Sequence, residues 1–317
     1  MKFAKLVDEY IMFKRAKGMR FKSQAMTLRQ FSQRVGPIDV AQVTPTAVTG
    51  YLYRSKTITS SWHQRYSTLN MLYRYATTRG FAKSSPLPTI LPQKAKYARP
   101  YVYSVDEIRK LLDASKILDS KHKVGEFSVS TFRALLLLLY GAALRSSEAV
   151  SLTMEDVDLA KSLLTIRDSK FFKTRLVPMG PKLTAVLQDY LKIRREMYGQ
   201  PRPASAFFLN NQGKAFPQQT ADRYFRFVRE AAGVRRTDGA YNQPRLHDLR
   251  HSFAVHRLVS WYKQGANVQK LLPQLSTYLG HVGIAETSVY LTMTPELLQE
   301  ANRRFEHYAL PEVRYVA

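Results

Sequence analysis

The chain has 317 residues, 45% of them hydrophobic, enough for two ordinary domains with packed cores and unlike a disordered chain. Lys and Arg number 49 against 24 Asp and Glu, so the formal charge is +25 and a polyanionic partner such as DNA or RNA is expected. The absence of cysteine excludes disulfides, Cys-ligated zinc and thiol nucleophiles.

Residues 1–90 read as four short helices in a bundle. The opening residues lack the apolar core of a signal peptide. Leu6, Val7, Tyr10, Ile11 and Phe13 recur at helical spacing, and Gly18 offers a stop. Leu28, Phe31 and Val35 repeat the pattern over 27–35. Thr44 is the expected cap of a third helix, with Pro45 in its first turn and Val48, Tyr51 and Leu52 on one face. Ser60 and Ser61 open a fourth, which carries Tyr66, Leu69, Leu72, Tyr73 and Tyr75 and ends at Gly80. Residues 84–99 are rich in Pro and Lys, and 91–100 read as a basic linker that also tracks phosphates. The first hundred residues hold 18 basic and 3 acidic side chains, the rest 31 and 21. A DNA-gripping module is therefore expected ahead of a catalytic one at 101–317.

In that second part Ser104 caps a helix running to Leu112. Residues 132–143 read as a buried apolar helix; its apolar run, 134–140, is too short to span a bilayer. Residues 163–167 and 176–178 read as strands of a hairpin around 168–173. Helices follow at 182–197, 221–232 and 247–261. Residues 276–279 and 286–290 belong to a closing helical section, 296–305 to a last helix, and 311–317 to a tail. The expected fold is mainly α with a small antiparallel β-sheet.

Four separated segments carry residues suited to one phosphate. Arg145 and Glu148 lie three apart at the end of the apolar helix, as if on one helical face. The hairpin offers Lys170 and Lys173. His247 and Arg250, again three apart, can donate several hydrogen bonds to a pair of phosphate oxygens. Gly280 allows a turn that aims His281 inward, and Tyr290 follows nine residues on. Taken singly, each has an ordinary structural reading: an Arg–Glu pair, a solvated basic turn, a packed histidine, one of 19 tyrosines. His247 and His251, four apart, imitate a zinc-protease helix. Against zinc, the residue after the first histidine is Asp248 and not Glu, Arg250 would repel a dication, and no cysteine completes a site.

The ordered set Arg-x-x-Glu, hairpin Lys, His-x-x-Arg, Leu-Gly-His and Tyr resembles the tyrosine recombinases, or phage integrases, over most of the chain. The stretch 67–87 resembles the last helix of that family's core-binding domain. By motif, Arg145 matches the first catalytic arginine and Glu148 its supporting acid. Lys170 matches the hairpin lysine, with Lys173 the alternative, because the family's flanking glycines are missing here. His247, Arg250 and His281 match the remaining phosphate ligands, and Tyr290 the nucleophile. Two further departures are an apparent insertion at 265–273 and the run Leu291, Thr292, Met293, Thr294 after the tyrosine.

The resemblance implies a two-domain, C-shaped clamp on double-stranded DNA. Four copies on two DNA sites would exchange strands through a 3′-phosphotyrosine intermediate and a Holliday junction, with no metal, ATP or other cofactor. The segment 296–317 would dock into a neighbouring copy. An accessory recombinase or DNA-bending protein is a compatible partner, a membrane is not, and the expected compartment is the bacterial cytoplasm. The rival readings are a type IB topoisomerase, which the compact front domain disfavours, and a catalytically silent DNA-binding protein, which the filled catalytic set disfavours.

Overall fold

A computed structural model describes residues 1–54, 58–93, 100–167, 174–240 and 242–309, and the chain divides into two units, 1–97 and 98–317. The expected linker residues 94–99, the hairpin tip 168–173 with Lys170 and Lys173, and the tail from 310 lie outside the described residues.

The first unit is built from α1 (Phe3–Ala16), α2 (Lys22–Val35), α3 (Pro45–Leu52) and α4 (Ser60–Thr78). The apolar stripe of α1, with Phe3, Leu6 and Tyr10, packs on Leu28 and Phe31 of α2 and on Leu69, Leu72 and Tyr73 of α4. Thr44 caps α3 by accepting from the Ala47 amide at 3.2 Å, which satisfies one of the amides a helix start leaves open. Arg65, buried on α4, donates to the carbonyl of Leu52 at 3.0 Å and so closes the other end of α3. The chain stays on this unit beyond α4: Leu87 enters the core, and the Tyr66 hydroxyl donates to the Pro88 carbonyl at 3.1 Å. The Pro-rich stretch is thus packed at its start.

The second unit opens with α5 (Val105–Ala114), α6 (Ile117–Ser120) and α7 (Glu126–Gly141). Ser104 and Glu107 form a reciprocal capping box at the start of α5. Next come α8 (Ser146–Val150), the strands β1 (Val157–Asp158), β2 (Leu163–Ile166) and β3 (Arg175–Pro178), and α9 (Pro181–Tyr198). The sheet is antiparallel in the order β1-β2-β3, with Leu164 facing Val157 on one side and Val177 on the other, and Ile166 facing Arg175. The unit closes with α10 (Gln218–Ala231), α11 (Asp248–Lys263), α12 (Val268–Leu279), α13 (Ala285–Ser288), a 3-10 turn (Val289–Thr292) and α14 (Pro295–Ala309). Helix α7 runs through the core, where Phe132, Leu135, Leu136 and Leu138 are fully buried. A second apolar cluster joins Ala143, Ala254, Leu258, Leu279 and Leu297 beneath Tyr290.

Two local expectations change. The apolar helix stops at Gly141, and Ala143 takes a left-handed φ of 52° that turns the chain toward Arg145. Much of the apparent insertion at 265–273 forms the first turns of α12: Asn267 caps it from the Lys270 amide at 3.1 Å, and Pro273 sits within it. Helix α14 packs on its own chain, with Leu297 1% exposed and Arg304 donating to the carbonyls of Gly265 and Ala266 at 2.8 Å. Among the described residues no helix is long and apolar enough to cross a membrane.

Leu135→Ala should lower the stability of the second unit by about 2–5 kcal/mol, the usual cost of an emptied core site. Urea unfolding followed by Trp261 fluorescence in a Trp62→Phe background, which silences the first unit, measures this; a loss below about 1 kcal/mol would contradict tight packing around α7.

Candidate active site

Arg145 is not on a helix with Glu148. It is the extended N-cap of α8, with φ −68° and ψ 145°, and Glu148 is the third residue of that helix. The Glu148 carboxylate accepts from the Arg145 amide at 3.0 Å and from its Nη1 at 2.8 Å. Spacing of three means a helical face only inside a helix; across a helix start it means a capping box. Arg175, at the start of β3, donates Nη1 and Nη2 to the same carboxylate at 3.1 and 2.8 Å. Burial pushes the Glu148 carboxyl up, but the hydrogen bonds and charge of Arg175, with those of Arg145, outweigh it and hold the group at about 2.

Both arginines also hold the turn that carries His281. Arg145 Nη2 donates to the Gly280 carbonyl at 2.9 Å, and Arg175 Nε to the Tyr278 carbonyl at 3.1 Å. Gly280 has φ 67°, and a Cβ there would stand 2.7 Å from Arg175 Nη1. Any side chain at 280 would be strained and would displace the guanidinium.

Arg250 is 2% exposed on α11 and donates Nη1 to the Ala143 carbonyl at 2.7 Å and Nη2 to the Leu279 carbonyl. Burial, then the Arg145 charge, lowers its pKa to about 10, which leaves it a cation at neutral pH. His247 precedes α11, and its ring stands 5.0 Å from that of His251, one turn on. Between them Asp248, 1% exposed, accepts from the Arg245 amide at 2.8 Å and its Nη2 at 3.1 Å, so it fixes the loop into α11. His251 Nδ1 lies 2.9 Å from the Tyr290 hydroxyl. The His281 ring stacks 6.1 Å from the same phenol, with its Nδ1 2.7 Å from Thr287 Oγ1.

Tyr290 is 3% exposed in the 3-10 turn. Burial raises its pKa, while the charges of Arg250 and Arg145 oppose the rise. Burial, followed by neighbouring cationic groups, lowers all three histidines, His251 to about 3 and His281 to about 4, so they are neutral bases near pH 7. A basic cavity of about 550 Å³ adjoins His247, lined also by Arg145, Arg226, Arg229 and Arg245, with Asp222 among its walls. Among the described residues no three His, Asp or Glu side chains converge as a metal site.

Arg145, Glu148, His247, Arg250, His281 and Tyr290 thus meet in one place, while Lys170 lies outside the described residues. Sequence reasoning missed Arg175 and His251. Each stood inside a motif, the basic hairpin run and the helix after His247: nothing in the pattern marked Arg175, and His251 stood out only as half of a zinc-protease imitation.

The phage integrase family model matches residues 102–296. The chain belongs to the phage integrase family. It is a tyrosine recombinase, an enzyme of site-specific DNA recombination that works through a covalent protein–DNA intermediate. The recombinase is similar to a Sinorhizobium fredii protein named as an integrase/recombinase, y4rB, at 35% identity over 305 residues, 96% of this chain and 97% of the relative. It is also similar to the tyrosine recombinase XerC of Thermodesulfovibrio yellowstonii, at 30% identity over 80% of this chain and 79% of the relative. In fold it is similar to the Tn1549 transposon integrase solved with transposon right end DNA, with a TM-score of 0.66 and 16% identity over 98% of this chain and 100% of that one.

Glu148→Gln should cost about 3 kcal/mol at pH 7, because the two half-buried guanidinium groups of Arg145 and Arg175 lose their counter-charge. The carboxyl is depressed from 4.5 to about 2 on folding, so its contribution is complete above pH 4.5 and is lost as pH falls through 2. The stability gap between wild type and variant, read from urea midpoints across that range, should therefore narrow toward acid by on the order of 3 kcal/mol; parallel curves would show that the carboxylate is not held by its charge.

Proposed function

We propose that Tyr290 attacks the scissile DNA phosphate and forms a 3′-phosphotyrosine. The observation that carries this reading is the convergence of four distant segments, at 145–148, 175, 247–251 and 280–290, on one buried phenol. Arg145 and Arg250 neutralise the non-bridging oxygens and stabilise the pentacovalent transition state. His247 and His281 bond the phosphate and assist proton movement. Glu148 holds Arg145 in place. Lys170, or Lys173, protonates the departing 5′ oxygen. A phosphodiester exchanged for a phosphotyrosine keeps its bond energy, so rejoining needs no ATP.

The partner is double-stranded DNA, gripped by the front domain and the catalytic domain, with a charge of +25 to meet its phosphates. The working assembly is a tetramer on two DNA sites that passes through a Holliday junction. A lambda integrase tetramer solved on a Holliday junction, similar in fold with a TM-score of 0.64, supports that reading. The similarity in fold to a transposon integrase supports a role in moving a mobile element. Such an enzyme acts where bacterial DNA lies, in the cytoplasm.

A nicked DNA substrate that traps covalent complexes, offered as a library of element-end sequences, tests the nucleophile. Wild type should give a covalent band on a denaturing gel, and Tyr290→Phe should reduce it by more than about 10³-fold while still binding DNA. An undiminished band from Tyr290→Phe would place the nucleophile elsewhere.

A further inference from the structure

We propose that His251 is the base that takes the hydroxyl proton of Tyr290 as it attacks the DNA phosphate, which makes it a catalytic residue of this recombinase. The inference rests on the reading of Tyr290 as the nucleophile. Its ground is geometric: His251 Nδ1 stands 2.9 Å from the phenol oxygen, within direct proton-transfer distance. The other two histidines are placed for different work. His281 has its Nδ1 on Thr287, with its ring 6.1 Å from the phenol ring. His247 lies a turn earlier, beside the basic cavity that Arg145 and Arg245 line.

The base is also rigidly held. His251 follows Arg250, whose guanidinium is fixed to the Ala143 and Leu279 carbonyls, and precedes Ser252, whose fully buried hydroxyl donates to the Asp248 carbonyl at 2.8 Å and accepts from the Tyr103 amide at 2.8 Å. These anchors lock the first turns of α11, and with them the imidazole. With Nδ1 accepting, the ring's own proton is on Nε2.

The charges around the pair explain when it acts. Burial comes first, and His247, Arg250, Arg245 and His281 then disfavour the imidazolium, so without DNA the proton stays on Tyr290. A DNA phosphate brings negative charge to the same arginines. That charge favours the imidazolium, while the arginines it engages stabilise the oxygen that loses the proton. In the step itself the Tyr290 Oη–P bond forms as the P–O5′ bond breaks. The phenol proton passes to His251 Nδ1, and the 5′ oxygen leaves with a proton from the hairpin lysine. On rejoining, the 5′ hydroxyl attacks phosphorus and returns its proton to the hairpin lysine, while the phenol oxygen leaves phosphorus and recovers its proton from His251.

The test uses the full chain on the nicked substrate, with His251→Asn and, should that variant melt early, His251→Gln. Asn keeps a hydrogen-bonding atom near the place of Nδ1 but cannot hold a proton. Cleavage should slow by about 10²–10⁴-fold with DNA affinity unchanged. The deficit should shrink at least tenfold when Tyr290 is replaced by a fluorinated tyrosine of lower pKa, because a more acidic phenol needs its base less. A residue that merely packs would give the same deficit with either phenol. Wild-type cleavage by His251→Asn, or a deficit that fluorination leaves unchanged, overturns the proposal. A covalent band that survives Tyr290→Phe overturns the underlying reading instead, so the two failures are distinguishable.

Discussion

One buried carboxylate sets the geometry of the catalytic unit. Glu148 receives four side-chain and backbone hydrogen bonds from two arginines that would otherwise repel each other. It joins a helix start, a strand and, through the arginines' other donors, the turn before His281. Taking three charges out of water is costly, and the arrangement stands only because each lone pair and N–H that points inward has a partner. The benefit is positional: a guanidinium clamped on one edge presents its other edge in a fixed direction.

Arg250 is held by other means. Its guanidinium makes no direct ion pair with a carboxylate; it donates to two carbonyls, one from the left-handed turn at Ala143 and one from the end of α12, and bonds the Tyr290 hydroxyl. Dipoles orient a cation without neutralising it, so its charge remains available to whatever arrives from outside. Arg145 and Arg250 therefore differ electrically although both are anchored: one is half compensated, the other carries its full charge into the interior beside Tyr290.

Much of the fold was legible because it follows local rules. The Thr44 and Ser104 caps, the apolar stripe of α1, the buried run of α7 and the two long strands of the hairpin all depend on neighbours within a few positions. The misread parts depend on longer reach. The two-residue strand β1 is too short to show alternation, and exists because β2 offers it an edge. Arg145 and Glu148 have the spacing of a helical pair, but Ala143 breaks the helix first, and a non-glycine residue at positive φ leaves no sequence mark. The stretch 265–273 reads as an insertion by its length, yet α12 starts within it and continues past Pro273. In the site, the residues matched by motif came together, whereas Arg175 and His251 became recognisable only once β3 met α8 and α11 met the 3-10 turn.

The choice of carbonyls as anchors has an evolutionary consequence. Ala143, Tyr278, Leu279 and Gly280 hold the three arginines through a group that every residue carries. What limits the side chains at Ala143, Tyr278 and Leu279 is therefore the core they pack in and the left-handed turn at Ala143, not the arginines they hold. A search for co-varying pairs would couple Arg145 and Arg175 to Glu148 but to none of these four positions. The dependence would surface through substitutions that bend the main chain, proline above all, and these would disable the enzyme even where the new side chain fits the core.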